Sequence, residues 1–298
     1  MKKTFAHLSV LTANLIYGAN YSIAKQVMPE FIKPFGFILV RVVVTTILFW
    51  AIGFFIKDKK VDKADMPRLI YCAFFGVALN QLLFFKGLDL TTPINAALMM
   101  TTNPIMVLIV ASFLIREKIT ILKIIGIITG ITGAGLLLLW GKEFSIQSDS
   151  VAGDLCVLVN SLSFGVFLII VKPLMSKYNT LTVMKWIFLF GSFMVIPFGY
   201  GELSQIQWST FTMPIWIATA YVVIFVTSVA YILNVYALKN LSPSSVSAYI
   251  YLQPFFASMV AIFLGKDQLS AIHFISALLI FAGVYMVTSG KFKTSKLK

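Results

Sequence analysis

The sequence predicts an all-α integral membrane protein with ten transmembrane helices arranged as two inverted five-helix repeats. Three observations predict this fold: the composition, the spacing of the apolar runs and an internal duplication. Of the 298 residues, 59% are hydrophobic and only 12% are charged. That composition is too apolar for a soluble domain of this length.

Apolar runs of about 20 residues recur along the chain, and each is long enough to cross the roughly 30 Å hydrocarbon core of a bilayer. They leave no room for a separate soluble domain, so we expect the lipid bilayer to surround most of the chain. The runs lie near residues 6–27, 34–56, 68–86, 93–115, 119–140, 152–173, 180–200, 214–236, 242–264 and 270–289.

An internal duplication relates the two halves. Residues 86–140 match residues 236–290 without a gap when they are shifted by 150 positions, and with a shift of 147 Gly18 matches Gly165. Such repeats are typical of secondary transporters. The identical pairs include Leu88 and Leu238, Pro93 and Pro243, Pro104 and Pro254, Phe113 and Phe263, and Gly133 and Gly283.

Each half has five spans, which is an odd number, so the second half enters the membrane from the opposite side to the first. The two repeats are therefore inverted relative to each other. We predict a first repeat over residues 1–140, an outer linker over 141–151, and a second repeat over 152–298 that ends in a short basic tail.

Gly126 and Gly130 give one G-x-x-x-G spacing in span five. We expect it to pack within one subunit, so the protein is predicted to be a monomer or a weak dimer.

The net charge of +13 does not indicate nucleic-acid binding, because the basic residues are concentrated on alternate connections between spans. If the N-terminus is cytoplasmic, most Lys and Arg residues fall on the inner side, as the positive-inside rule requires. Both termini are therefore predicted to be cytoplasmic. The two cysteines, Cys72 and Cys156, fall inside spans and are expected to pack there without chemistry.

Polar side chains recur at helical spacing on several spans and predict a central cavity. The alternative for each residue is an ordinary interhelical hydrogen bond, but repeated placement on matching spans favours a cavity. Aromatic side chains would form its walls and amides would supply hydrogen bonds. The candidate substrate-binding residues are Asn14, Tyr17, Tyr21, Asn80, Gln81, Phe84, Asn95, Met99, Asn103, Tyr231, Asn234, Tyr249 and Gln253.

Pro104 and Pro254 occupy matching positions in spans four and nine. Each removes a backbone donor and interrupts its helix. Matched breaks in two halves point to a transporter site, and we hypothesise that spans four and nine hinge there. A plain kink that only shapes the bundle is the alternative.

Arg41 is the ionised side chain that the sequence places well inside a span, and such a residue is a functional candidate. No buried acid is evident as its partner. We favour a structural role in which Arg41 binds the carbonyl ends of neighbouring helices, and direct binding of an anion stays open.

The 11 acidic residues all fall at predicted helix ends or in loops. Proton relays and sodium sites commonly use buried carboxylates, so facilitated transport or exchange is favoured over ion coupling.

The sequence contains no metal-ligand cluster, phosphate-binding loop or Ser–His pair, and we predict no enzyme activity, metal or cofactor. The histidines His7 and His273 lie near span ends without apparent partners.

These residues resemble the EamA-type family of the drug/metabolite transporter superfamily over essentially the whole chain. The resemblance is carried by IYGANYSIAK in span one, by Arg41, and by NPIMVLIVASFLIREKIT with its echo QPFFASMVAIFLGKDQLS. It implies ten helices in inverted repeats, with Arg41, Pro104 and Pro254 at family positions. Span six departs from the pattern because it lacks the Asn and Tyr of span one.

The resemblance also implies export or exchange of small metabolites, such as amino acids, across a bacterial cytoplasmic (inner) membrane. Our leading hypothesis is therefore a secondary transporter for small organic solutes that works by alternating access. The alternatives are a non-transporting membrane scaffold or signalling protein, and a lipid-modifying membrane enzyme. The first would need an exposed domain and the second a cluster of reactive residues at one interface.

Overall fold

The computed structural model describes residues 2–55, 60–140, 148–263 and 270–289, and within these ranges the chain is helical and contains no strand. Most of the predicted linker (141–147) and the predicted basic tail (290–298) lie outside the described residues. The helix α8 begins at Ser148, inside the stretch predicted to be linker. The helix therefore extends further toward the N-terminus than the apolar run near 152–173 predicts.

Fourteen α-helical segments follow one another along the described ranges. They are α1 (Lys2–Val27), α2 (Pro34–Phe54), α3 (Met66–Ala73), α4 (Leu79–Leu90), α5 (Pro93–Met100), α6 (Asn103–Ile115), α7 (Ile121–Leu139), α8 (Ser148–Lys177), α9 (Thr180–Leu203), α10 (Met213–Tyr221), α11 (Ala230–Ala237), α12 (Pro243–Ala248), α13 (Leu252–Phe263) and α14 (Ala271–Ser289).

Helix starts are set by capping residues and prolines. The hydroxyls of Thr92 and Ser242 accept the backbone N–H of the residue three positions later, at the starts of α5 and α12. These two caps are 150 residues apart. A side-chain cap and a proline in the first turn both satisfy the donors that a helix start leaves unpaired, so the duplicated sequence produces the same helix start twice.

Eight helical stretches in the described part of the chain are long and apolar enough to cross a membrane. The outer surface of the bundle carries large apolar side chains. Phe113, Leu278 and Tyr285 are 81%, 73% and 71% exposed, and such a surface is stable only when lipid covers it. The chain is an integral membrane protein.

The helices pack in pairs that have counterparts in the other half. The helix α2 packs along α9, and α7 packs along α14. The packing of α4 and α6 against α8 corresponds to the packing of α11 and α13 against α1. Each span of one half therefore meets a partner in the other half.

Small residues allow α7 and α14 to approach closely. A Cβ atom on Gly126 would lie 2.9 Å from the backbone oxygen of Gly283, and one on Gly133 would lie 2.9 Å from the oxygen of Ser276. Real side chains cannot fit at such distances. Gly126 and Gly133 therefore pack against α14 within the chain, as expected, whereas Gly135 has no atom within 4 Å of its Cβ position.

Four interruptions divide the long spans at matching places. Residues Phe74–Ala78 and Val222–Val229 form π-helical turns between α3 and α4 and between α10 and α11. Thr101 and Thr102 form a turn between α5 and α6, and Tyr249–Tyr251 forms a 3-10 turn between α12 and α13. Pro104 and Pro254 lie in the first turns that follow, so the predicted breaks occur just before the two prolines.

Candidate functional site

A cavity with a volume of about 80 Å³ lies between the two halves of the bundle. Helices α1, α2, α4, α5, α8, α11, α12 and α13 contribute to it, together with the second π-helical turn and the 3-10 turn. Its lining combines amides, aromatic rings and aliphatic side chains. The lining residues are Asn14, Tyr17, Asn20, Arg41, Asn80, Gln81, Phe84, Phe85, Met100, Asn160, Phe164, Val226, Tyr231, Asn234, Val246, Ile250 and Gln253.

Most of the residues selected from the sequence come together in this cavity. They come from α1, α4, α11 and α13, which are distant in the sequence. Those that line the cavity are Asn14, Tyr17, Asn80, Gln81, Phe84, Tyr231, Asn234 and Gln253.

Four of the selected residues, Asn95, Met99, Asn103 and Tyr249, are not among the lining residues. The side chain of Tyr21 lies outside the described residues. Asn103 donates from Nδ2 to the backbone oxygen of Ser161 at 2.7 Å, which is an interhelical contact. The Tyr249 hydroxyl lies 2.7 Å from Nδ1 of His7.

Both histidines therefore differ from the expectation that they have no partners. His7 contacts Tyr249 across the bundle, and Nδ1 of His273 lies 2.8 Å from the hydroxyl of Ser270. The second contact is local, at the start of α14. Sequence spacing shows neighbours on one helix but does not show contacts between spans, which is why the first contact was missed.

Several lining residues were not selected from the sequence: Asn20, Phe85, Met100, Asn160, Phe164, Val226, Val246 and Ile250. One signal could have found Phe164, because the shift of 147 that pairs Gly18 with Gly165 also pairs Tyr17 with Phe164. Asn160 lies one position away from the equivalent of Asn14. Span six therefore supplies an amide and an aromatic ring to the cavity despite its departure from the pattern of span one.

Tyr231 is the centre of the polar network in the cavity. Its hydroxyl lies 3.0 Å from the backbone oxygen of Gly76 and 3.1 Å from Oδ1 of Asn80, and Nε2 of Gln81 approaches it at 3.4 Å. The Tyr231 ring packs edge-on against Phe188. The network joins α4 and its π-helical turn to α11.

A second pair of hydrogen bonds joins spans one and six to the breaks in spans nine and four. Gln253 donates from Nε2 to Oδ1 of Asn14 at 2.8 Å. The contact of Asn103 with Ser161 is its counterpart, since Asn103 corresponds to Gln253 and Ser161 corresponds to Asn14 in the repeat. Each residue that precedes a proline of the matched pair is thus tied to the first span of the other half.

Arg41 is 2% exposed and contributes the charged side chain of the lining. Its Nε donates to the Thr227 hydroxyl at 2.8 Å. The guanidinium carbon lies 4.2 Å from the centre of the Phe85 ring and 5.6 Å from that of Phe37. These are cation–π distances. Among the described residues, no backbone oxygen bonds to Arg41, so its contact is with a side chain and not with the helix ends predicted from the sequence.

Some polar atoms of the lining make no hydrogen bond with the described residues, although they are buried. They are Nη1 of Arg41 and the side-chain oxygens of Asn20, Gln81 and Asn160. An unpaired buried polar atom costs about 1–3 kcal/mol. A polar solute that enters the cavity can recover this free energy, so the arrangement is suited to binding.

A separate polar cluster lies at one end of the bundle and is not part of the cavity lining. Oε1 of Glu117 lies 2.6 Å from Nζ of Lys123 and also accepts a hydrogen bond from Ser244 at the start of α12. Both charged groups are buried. This ion pair therefore connects the turn between α6 and α7 to the other half. Within the described ranges, no three His, Cys, Asp or Glu side chains come close enough to hold a metal ion.

Comparison with known proteins identifies the family to which the sequence belongs. A sequence model of the EamA-like transporter family matches residues 4–139 and again residues 151–289. An uncharacterized transporter of Archaeoglobus fulgidus is 25% identical over 290 residues, which cover 95% of this chain and 97% of that relative.

Two further similarities extend over most of the chain. The uncharacterized transporter YetK of Bacillus subtilis is 25% identical over 296 residues, covering 97% of this chain and 88% of the relative. A solved crystal structure superposes with a TM-score of 0.75 at 17% identity, covering 95% of this chain and 96% of the other, which shows a shared fold. The chain belongs to the EamA-like transporter family of membrane transporters.

Proposed function

We propose that this protein is a secondary transporter that exports or exchanges small organic solutes, such as amino acids and aromatic compounds, by alternating access through the central cavity. One observation carries the proposal: amide and hydroxyl groups from both halves converge inside an apolar bundle. Polar groups in the interior of a membrane protein have a high free-energy cost, and they mark substrate pathways. The family membership supports the same class of activity.

The proposed architecture is ten membrane crossings in two inverted repeats. The eight long apolar stretches account for eight crossings, and we assign the other two to α1 and to the pair α12 and α13. The paired helix contacts, the matching π-helical turns and the two equivalent caps support the inverted relationship. In such proteins the two halves rock about a site at their interface.

We place both termini in the cytoplasm of a bacterial cell and the protein in its inner membrane. The distribution of Lys and Arg supports this orientation, because the connections near residues 55–68, 116–123 and 172–185 are rich in them. Excess positive charge in short loops marks the cytoplasmic side. The cytoplasmic end would then carry the Glu117 ion pair.

The lining favours a solute with both apolar and hydrogen-bonding parts. Phe84, Phe85 and Phe164 provide aromatic surface, while Asn80 and Asn234 provide amides. None of the lining side chains in the described ranges is acidic, so a polycation would find no counter-charge. This also supports facilitated transport or exchange without a carboxylate-bound coupling ion.

The test is release from proteoliposomes loaded with a mixture of amino acids, nucleosides, sugars and organic acids, followed by mass spectrometry. Protein-free liposomes give the leak rate. Asn234→Phe fills the cavity and should abolish release, whereas Asn240→Phe alters an asparagine outside the cavity and should leave release intact. Saturable loss of one compound class supports the proposal. Release that matches protein-free liposomes for every class, in folded protein, contradicts it.

A further inference from the structure

We infer that Arg41 is the anion-binding residue of the cavity and that the transported solute must carry a carboxylate. This inference rests on the transport function proposed above and specifies the charge of the solute. Arg41 is buried, and its partners among the described residues are a hydroxyl and two aromatic rings, none of which carries a balancing negative charge.

The guanidinium is held in place but its charge is not neutralised. The ion pairs among the described residues do not involve Arg41, and no acidic side chain lines the cavity beside it. A buried charge without a counter-ion is costly. Cation–π contact with Phe85 offsets part of this cost but leaves the in-plane N–H donors available.

The available donors match the geometry of a carboxylate. Thr227 occupies the Nε donor, and Nη1 is buried without an acceptor among the described residues. The bond to Thr227 and the rings of Phe37 and Phe85 restrict rotation of the guanidinium. A guanidinium fixed in this way presents planar N–H groups that fit carboxylate oxygens and that a lysine ammonium cannot reproduce.

The rest of the lining complements the other parts of such a solute. The side-chain oxygens of Asn20, Gln81 and Asn160 have no hydrogen-bond donor among the described residues, so they can accept bonds from an amino group. They are neutral, so an amine bound there without a carboxylate would place a second positive charge in the cavity of Arg41. The lining therefore discriminates against simple amines and favours carboxylates, with or without an amino group.

The inference is tested by thermal stabilisation of the purified protein with matched compounds. The probes are L-phenylalanine and L-leucine, 3-phenylpropionate and 4-methylpentanoate, the two amino-acid amides, and 2-phenylethylamine and 3-methylbutylamine. We expect carboxylate compounds to raise the melting temperature and the amides and amines to have no effect. Equal stabilisation by amides or amines would overturn the inference, as would no stabilisation by any of the carboxylates.

Variants of Arg41 test the residue itself. Arg41→Gln should weaken carboxylate binding about 10- to 100-fold, and Arg41→Lys should restore it only in part because the planar donors are lost. Arg68→Gln removes an exposed arginine by the same change and should bind as the wild type does. Unchanged carboxylate affinity in Arg41→Gln would overturn the inference. If Arg41→Gln does not fold, the thermal stabilisation of the wild-type protein by the matched compounds still tests whether a carboxylate is required.

Failure of this inference differs from failure of the proposed transport function. If proteoliposomes release solutes that lack a carboxylate, transport stands and the role of Arg41 is wrong. If folded protein releases no solute of any class, the transport function itself fails.

Discussion

Gln81 and Tyr231 are 150 residues apart, at equivalent positions of the duplicated sequence, and their side chains meet with Nε2 of Gln81 3.4 Å from the hydroxyl oxygen of Tyr231. When a position contacts its own counterpart, the axis that relates the two copies passes close to both, as at a two-fold interface between subunits. Under the transport mechanism proposed above, the two halves would rock about a line that passes through the cavity.

Loss of the Tyr231 hydroxyl should weaken the junction between the halves. Tyr231→Phe leaves the Gly76 oxygen and the Gln81 amide without their partner, and we expect a loss of about 1–3 kcal/mol in stability together with slower transport. Thermal unfolding in detergent measures the first effect. Tyr236→Phe, on the same helix outside the cavity lining, is the control, and equal melting temperatures for the two variants would contradict the assigned role.

Thr227 should act as a positioning residue for Arg41. Thr227→Val removes the acceptor that holds Nε, and we expect the KM for a carboxylate solute to rise about fivefold, the effect of one hydrogen bond. Thr227→Ser keeps the hydroxyl and should retain the wild-type KM. A similar rise in KM in both variants would assign the effect to packing of the lost methyl group and not to the hydrogen bond.

The breaks before Pro104 and Pro254 should set the rate of conformational change. Alanine restores a backbone donor, which allows α5 to continue into α6 and α12 into α13. We expect Pro104→Ala and Pro254→Ala to slow turnover while affinity for the solute stays the same. Pro67→Ala, at the exposed start of α3, is the control. Wild-type turnover in both Pro104→Ala and Pro254→Ala would refute the hinge.

The Glu117–Lys123 pair should stabilise one end of the bundle. Glu117→Gln leaves Lys123 buried without a counter-ion, which costs about 3–5 kcal/mol in comparable cases. Lys123→Met should be similarly damaging, and the double variant should lose less than the sum of the two. Thermal unfolding of the four proteins gives the coupling energy. Strict additivity would show that the pair contributes no interaction energy.

Transport should be insensitive to ion gradients. The cavity lining contains no carboxylate within the described ranges, and carboxylates are the usual sites for coupling protons or sodium ions. We therefore expect the same initial flux with and without imposed pH and sodium gradients across proteoliposomes. A steep dependence on either gradient, with membrane potential held constant, would contradict uncoupled transport.

The membrane class and the internal duplication could be predicted from sequence because both depend on simple regularities. A hydrocarbon core of fixed thickness requires apolar runs of fixed length, and a duplicated sequence repeats its caps and prolines. Helix ends were harder to place. The start of α8 at Ser148 lies in a polar stretch, which the length of the apolar run does not identify.

The lining was predictable where the helices are regular and less so at their breaks. Spacing along α4 and α11 identified Asn80, Gln81, Tyr231 and Asn234. A spacing of four residues from Met99 to Asn103 assumes a continuous helix, but the turn at Thr101 and Thr102 interrupts it. Met100, not Met99, consequently lines the cavity.

The same limit applies on span nine. Residues in a 3-10 turn are rotated by about 120° from one to the next, compared with about 100° in an α-helix. The turn at Tyr249–Tyr251 shifts the inward face so that Ile250 lines the cavity and Tyr249 points to His7. The sequence predicted that the span breaks, but not how the break rotates its neighbours.

Alternating access to the cavity is the central claim, and thiol accessibility tests it most directly. Asn234→Cys would be introduced with Cys72→Ser and Cys156→Ser, reconstituted in known orientation, and treated with a membrane-impermeant maleimide from either side. We predict labelling from each side in turn, protection by solute and loss of transport. Ile217→Cys, on the lipid-facing surface, is the control for non-specific labelling. Labelling from one side only, or continued transport after full labelling, would contradict the account.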